Sequence, residues 1–103
     1  MKEIEAIEAI FRSKGVLHKG TLLLSPPTAL EFLYACRENG IEILGFDAFN
    51  LLPGDRIQPV MDDSLDLTAE PYHISNPEDG YRVAERFIRE RKDKAIFFEF
   101  VTK

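Results

Sequence analysis

A chain of 103 residues is long enough to bury one hydrophobic core, and we expect residues 1–103 to form a single domain. Its longest apolar runs are far too short to span a bilayer, which argues against a membrane protein. Its net charge of −5 argues against a general nucleic-acid binder, which needs a basic face for phosphates.

The first half of the chain begins with a predicted helix over residues 2–14, where apolar side chains recur at helical spacing. Residues 16–24 are predicted to be extended, with an interruption at residues 19–20. A second helix is expected to begin at Ser25, which supplies an N-cap oxygen and is followed by proline. The helix is expected to close at residues 39–40, which are Asn-Gly.

Residues 41–60 are predicted to form a β-hairpin around which the rest of the fold is organised. The first strand is an apolar run of β-prone residues. Pro53-Gly54-Asp55 is a strong turn signal, since proline presets its own φ and glycine accepts a positive φ. Pro59 in the return strand has no N–H to donate, which places that strand at a sheet edge or ends it there.

The second half of the chain is less regular. Residues 61–75 are predicted to be mostly loop, with a short turn around residues 65–67, and a loop this long is often functional. A third helix is expected to begin at Asn76, which is followed by proline and by first-turn acids. Its arginines alternate with Glu85 and Glu90, which predicts a solvated, salt-bridged face rather than a nucleic-acid surface.

The predicted order of elements is helix, strand, helix, strand, strand, helix, strand. The last strand covers residues 95–101, and we expect both of its faces to be at least partly covered. This order indicates an α+β (mixed α/β) fold, with a small mixed sheet of about four strands and three helices packed on it. It contains one β-hairpin and one right-handed βαβ crossover, from residue 22 through the second helix to residue 43.

Motifs for catalysis or metal binding are absent from the sequence. A metal site needs clustered Cys, His and carboxylate ligands, whereas His18 and His73 are far apart in the chain. Cys36 lies on the predicted buried face of a helix, where burial raises the pKa of a thiol and makes it a poor nucleophile. We therefore expect no cofactor, no metal and no enzymatic activity.

The compartment is indicated by two features of the sequence. Cys36 is the only cysteine, so the chain forms no internal disulfide of the kind common in secreted domains. The first residues carry Glu3, Glu5 and Glu8 and lack the uncharged apolar core of a signal peptide. We therefore expect a cytoplasmic protein.

The acidic segment 62–79, which contains no Lys or Arg, is the predicted binding region. Carboxylates around apolar anchors suit a fast, electrostatically steered contact with a basic protein partner, and a soluble loop without a binding role is the alternative. Asp47 stands inside an otherwise apolar strand, either pointing outward or capping the following turn. The candidate partner-binding residues are Asp47, Asp62, Asp63, Asp66 and Tyr72.

A pattern over residues 24–59 and beyond resembles a known family. It consists of a capped A-L-x-x-L helix, an apolar strand with a G-x-D element, a turn and an I-x-P strand, followed by a further helix and strand. The residues that form it are Ser25, Ala29, Leu30, Gly40, Ile41, Leu44–Asp47, Ile57, Pro59, Ala84–Ile88 and Phe97–Val101. The pattern resembles small immunity proteins of bacterial polymorphic toxin systems, in particular those catalogued as the fortieth immunity family. That family has an aromatic residue soon after the I-x-P strand, where this chain offers Met61 and Leu65.

The resemblance implies a non-catalytic cytoplasmic protein that binds and neutralises a cognate toxin. We expect it to act by occlusion, with acidic groups complementing a basic face near the toxin's active site. One alternative is a small enzyme or ligand-binding domain with a polar pocket around Asp47 and His73. A second alternative is a scaffold or regulatory protein that self-associates, for example as a homodimer paired through a sheet edge.

Overall fold

The computed structural model describes residues 3–103 and shows an α+β fold with three helices, as the sequence predicts. Residue 2, where the first helix was expected to begin, lies outside the described residues, and that helix ends at Phe11 rather than at residue 14. Within residues 3–103, no helix has both the length and the hydropathy of a bilayer-spanning segment. The helices are α1 (Glu3–Phe11), α2 (Pro26–Glu38) and α3 (Pro77–Arg89), and the strands are β1 (Val16–His18), β2 (Thr21–Leu23), β3 (Ile43–Leu52), β4 (Arg56–Pro59), β5 (Leu65–Asp66) and β6 (Phe97–Thr102).

Local signals at three element ends are confirmed. α2 begins at Pro26, directly after Ser25, so the position of the cap is confirmed, but the Ser25 side chain makes no capping hydrogen bond. Asn76 caps α3, because its Oδ1 accepts a hydrogen bond from the backbone N–H of Glu78, with 2.9 Å between the two atoms. β4 ends at Pro59, as expected for a residue that has no N–H to continue a ladder.

β3 is the longest strand and the centre of the main sheet. It pairs with β4 through Phe49–Leu52, with β5 through Gly45 and Phe46, and with β6 from Ile43 to Phe49. A strand has only two edges, and β6 shares Phe46 with β5 and Phe49 with β4. β4 and β5 therefore lie one after the other along one edge of β3, and β6 occupies the opposite edge.

The strand pairings differ from the mixed sheet that the sequence predicts, because all pairings within residues 3–103 are antiparallel. β2 forms a separate two-stranded sheet with β1, and it reaches the main sheet through an antiparallel bridge between Leu24 and Phe98. β6 thus lies between Leu24 and β3. The segments on either side of α2 run parallel, as in a βαβ crossover, but they are not neighbours.

The segment 61–75, predicted to be mostly loop, contains regular structure. Met61–Asp63 form a 3-10 turn, and where a turn was expected around residues 65–67 the strand β5 covers Leu65–Asp66 and a turn follows at residues 67–68. Leu65 is buried and lies opposite Phe46 of β3, which draws this part of the chain into the sheet. The carboxylate-rich segment therefore begins in a 3-10 turn followed by an edge strand rather than as a free loop.

α2 and α3 pack on one face of the sheet and α1 packs against α2, and aromatic rings form the centre of this core. The ring of Phe46 in β3 lies 4.9 Å from that of Phe98 in β6 and 5.5 Å from that of Phe87 in α3. Phe32 of α2 lies 4.9 Å from Phe100 in β6, and α1 adds Phe11 against Phe32. Tilted and edge-to-face pairs of this kind add to the stability that burial alone provides.

Gly45 permits the close approach of β5 to β3. A Cβ atom at this position would lie 2.2 Å from the backbone carbonyl oxygen of Leu65, which is far inside van der Waals contact. The β3–β6 register also shifts between Ile43 and Gly45, so the strand is irregular at this point. A side chain at residue 45 would therefore push β5 away from the sheet.

We expect Gly45→Ala to lower the free energy of unfolding by about 3 kcal/mol, because the added methyl group forces two backbones apart. Gly54→Ala is the matched control, since Gly54 also has a positive φ but has no atoms near its Cβ position. Gly54→Ala is expected to lower the free energy of unfolding by about 1 kcal/mol. Urea unfolding measures both values, and equal losses would contradict a steric role for Gly45.

Asp63 fixes the 3-10 turn to the end of α3. Its side chain is buried, and its Oδ1 accepts hydrogen bonds from Arg91 Nε at 2.8 Å and from Lys94 Nζ at 2.9 Å. The Arg91 guanidinium also stacks over the ring of Phe87 at 3.5 Å. Burial alone would raise the pKa of Asp63, but the hydrogen bonds from Lys94 and Arg91 outweigh burial and hold this pKa below its usual range.

We expect Asp63→Asn to lower the free energy of unfolding by about 2 kcal/mol near pH 7, because Arg91 then loses its buried counter-charge. The pKa of Asp63 is lower in the folded than in the unfolded state. The carboxylate therefore stabilises the fold above about pH 4, and this contribution is lost as the pH falls through the folded-state pKa.

Urea unfolding at a series of acidic pH values tests this assignment. The stability of the wild-type protein should fall more steeply with decreasing pH than that of Asp63→Asn. Asp62→Asn, at the exposed neighbouring position, serves as the control and should follow the wild-type curve. Parallel curves for wild type and Asp63→Asn would show that the ion pairs contribute nothing to stability.

Candidate functional site

The main sheet has a second face, turned away from the helices, which we call the outer face. Successive side chains of a strand point to opposite faces of the sheet. Phe46 and Ala48 of β3 point into the core, so Asp47 and every second residue from it project to the outer face. None of the apolar side chains of the outer face belongs to the hydrophobic core described above. The outer face consists of Gly45, Asp47, Phe49 and Leu51 of β3, Phe97, Glu99 and Val101 of β6, Ile57 and Pro59 of β4, and Asp66 of β5.

Apolar side chains of the outer face remain accessible to solvent. Leu51 is 38% exposed and Val101 is 44% exposed. Phe49, Phe97 and Ile57 are half-buried. The expectation that both faces of the last strand are at least partly covered is therefore met for Phe97, whereas Val101 is open. A sheet face of this kind offers hydrophobic contact area to a partner.

An acidic pair lies in the middle of the outer face. Asp47 of β3 is directly opposite Glu99 of β6 in the sheet register, and like charges in that arrangement destabilise a sheet. Burial raises the pKa of Glu99, and the neighbouring Asp47 raises it further. No salt bridge or hydrogen bond joins either carboxylate to another residue of the described chain. The pair is thus left without a counter-charge inside residues 3–103.

Asp66 joins Asp47 from a distant part of the sequence. The two side chains line one shallow cleft of about 260 Å³ together with Thr68 and Val101. Asp66 Oδ1 accepts hydrogen bonds from Thr68 Oγ1 at 2.6 Å and from the Thr68 backbone N–H at 2.9 Å. These hydrogen bonds lower the pKa of Asp66, so this carboxylate is charged over a wide pH range.

The other residues predicted to bind a partner lie elsewhere. Asp62 is exposed on the 3-10 turn and Tyr72 is 39% exposed on the loop after β5, both outside the outer face. Asp63 is not accessible to a partner, because its side chain is buried against Arg91 and Lys94. The sequence pattern alone did not separate this internal carboxylate from its exposed neighbours.

The residues of the predicted polar pocket do not meet in one cleft. His73 does not line the cleft beside Asp47, and its Nε2 lies 2.8 Å from Oε1 of Glu70. Cys36 is fully buried, as predicted, and burial raises its pKa to about 12. Within the described part of the chain, no group of three His, Cys, Asp or Glu side chains is arranged to hold a metal ion.

Glu99 is the residue of this site that sequence reasoning missed. Its signal was the alternation of Phe97, Glu99 and Val101, which places a carboxylate between two apolar residues on one face. This alternation does not show which strand pairs with β6. The importance of Glu99 becomes visible only when the register sets it against Asp47.

The geometry of the outer face describes a site and does not by itself assign the chain to a family. Searched against models of protein families and against curated protein sequences, the chain matches none.

Proposed function

We propose that the protein is a non-catalytic binding protein of the cytoplasm that neutralises a cognate bacterial toxin by covering its active site. The single observation that supports this proposal is the outer face, where accessible apolar side chains surround the carboxylates of Asp47, Glu99 and Asp66. Apolar contact area with a charged component is typical of protein–protein interfaces. The resemblance of residues 24–59 to immunity proteins supports a toxin as the partner.

The charges of the outer face favour a basic partner. Asp47 is exposed, and Asp66 is held ionised by its hydrogen bonds from Thr68. The chain as a whole carries a net charge of −5, which adds a long-range attraction for a positively charged surface. Such complementarity speeds association and disfavours partners of the wrong charge.

Occlusion requires a rigid surface more than it requires mobile groups. Asp47 and Glu99 are carried by paired strands whose other face is packed against the aromatic core. Side chains on such elements are held more precisely than side chains on loops. The protein therefore presents a preformed surface, and binding would cost little ordering of its backbone.

The two alternatives receive less support. For the enzyme or ligand-binding alternative, the cleft at Asp47 lacks His73, which is placed beside Glu70. For self-association, the outer face would bring the same acidic pair of a second copy against itself, since a two-fold contact uses the same patch on both copies. The remaining route to a homodimer is pairing between two copies through the edge of a strand other than β3.

Charge reversal on the outer face tests the proposed function. The partner to be used is the C-terminal domain of a toxin-like reading frame directly upstream of this gene, co-expressed with the wild-type protein or its variants. We expect Asp47→Lys/Asp66→Lys to weaken capture of that domain at least about tenfold, which corresponds to roughly 1.4 kcal/mol. Asp93→Lys/Glu38→Lys, with the same change in net charge at exposed sites outside the outer face, should retain capture.

Circular dichroism and urea unfolding confirm that both double variants are folded. Equal capture by the two variants would show that the outer face is not the binding surface. Failure of the wild-type protein to rescue growth or to capture the toxic domain would overturn the proposed function itself.

A further inference from the structure

The outer face has an ordered pattern across β3 and β6. Three successive rows in the register are Gly45 with Val101, Asp47 with Glu99, and Phe49 with Phe97. Rows on one face of a sheet follow one another at about 7 Å, which is two residues along a strand. Across β3 and β6, the acidic row is therefore bordered by rows that are apolar or lack a side chain, and Asp66 of β5 extends the first of these rows beyond Gly45.

The repulsion between the two carboxylates of the acidic row destabilises the fold locally, and no cation of the described chain compensates for it. Other carboxylates have cations within the chain: Asp63 pairs with Arg91 and Lys94, and Glu85 pairs with Arg89. Asp47 and Glu99 face each other with no such partner among residues 3–103. Replacing either carboxylate by its amide would remove the repulsion with little change in shape.

We infer, on the basis of the proposed function, that the outer face takes one lysine or arginine side chain of the partner between Asp47 and Glu99. The cationic group would pair with both carboxylates and relieve their repulsion. The aliphatic stem of the same side chain would pack on the bordering apolar residues, Val101 on one side and Phe49 and Phe97 on the other. This side chain is the anchor of the interface.

The arrangement fits a basic side chain better than the other occupants that a sheet face can take. A second copy of this chain would oppose one acidic row with another. A calcium ion takes six to eight oxygen ligands, whereas no group of three carboxylates in the described part of the chain is arranged to hold a metal ion, even with Asp66 nearby. A basic side chain satisfies both the charge of the row and the apolar character of its borders.

The first experiment measures stability, which requires no partner. We expect Glu99→Gln and Asp47→Asn each to raise the folding equilibrium constant about threefold at neutral pH, because each removes the like-charge repulsion. The double variant should gain little over either single variant, because the repulsion is already absent. A loss of stability in either single variant would overturn the inference, since it would give the carboxylate a structural role.

The second experiment measures binding with a defined probe. A nine-residue peptide of alternating valine and lysine is titrated into the isotopically labelled protein, and amide chemical shifts are followed by NMR. We expect shifts at residues 45–49 and 97–101, and affinity at least about tenfold higher for the wild type than for Asp47→Asn/Glu99→Gln. The control Asp93→Asn/Glu38→Gln, at exposed sites outside the outer face, has the same net charge as that variant and should bind like the wild type.

Three outcomes would overturn the inference. One is equal affinity of the peptide for the two double variants, which would reduce the effect to net charge. Another is equal affinity of the wild-type protein for a peptide with glutamine in place of lysine. The third is a change in the chemical shifts of the same amides with protein concentration in the absence of peptide, which would place a second copy of the chain on the outer face. The peptides contain no toxin sequence, so failure of toxin neutralisation leaves these results unaffected.

Discussion

The fold depends on the pairing of β3 along both of its edges. β6 occupies one edge, and β5 and β4 follow one another along the other. This double pairing fixes the orientation of every side chain in β3. Phe46 and Ala48 must enter the core beneath the helices, and Asp47 between them must face the opposite side. The register of β3 with its neighbours therefore determines both the hydrophobic core on one face of the sheet and the acidic outer face on the other.

The parts of the structure that local chemistry determines were predictable from the sequence. Asn76 at the start of α3 and Pro59 at the end of β4 act through their own backbone groups, so their effects do not depend on distant residues. The burial of Cys36 also followed from its position on one helix face. Signals of this kind predicted the three helices and the β3–β4 hairpin, whereas β5 was missing from the predicted order of elements.

The parts that depend on contacts between distant segments were not predictable. The strand β5 exists because Gly45 allows another backbone to come close, and no pattern within residues 61–75 reports that condition. The crossover around α2 lost its parallel neighbour because the last strand of the chain lies between Leu24 and β3. Asp63 resembles its neighbours in sequence, and only its contacts with Arg91 and Lys94, which follow α3, distinguish it.

The candidate site divides in the same way. Asp47 was chosen from the sequence as a carboxylate inside an apolar strand and Asp66 as part of the acidic segment, and the structure brings them to one cleft. Glu99 was not chosen, because its meaning depends on the residue across the strand pair. Both the partner and the toxin-neutralising role remain proposals that follow from the character of this face.

The tandem arrangement of β4 and β5 has a consequence for the behaviour of the chain in a crowded solution. β3 is rich in β-prone apolar residues, and a strand of that composition with a free edge recruits other chains into aggregates. Here β6 covers one side of it, while β4 and β5 together cover the other. Residues 43–49, the most apolar part of this strand, are therefore flanked by other strands on both sides, whereas residues 50–52 have no strand on the side of β6.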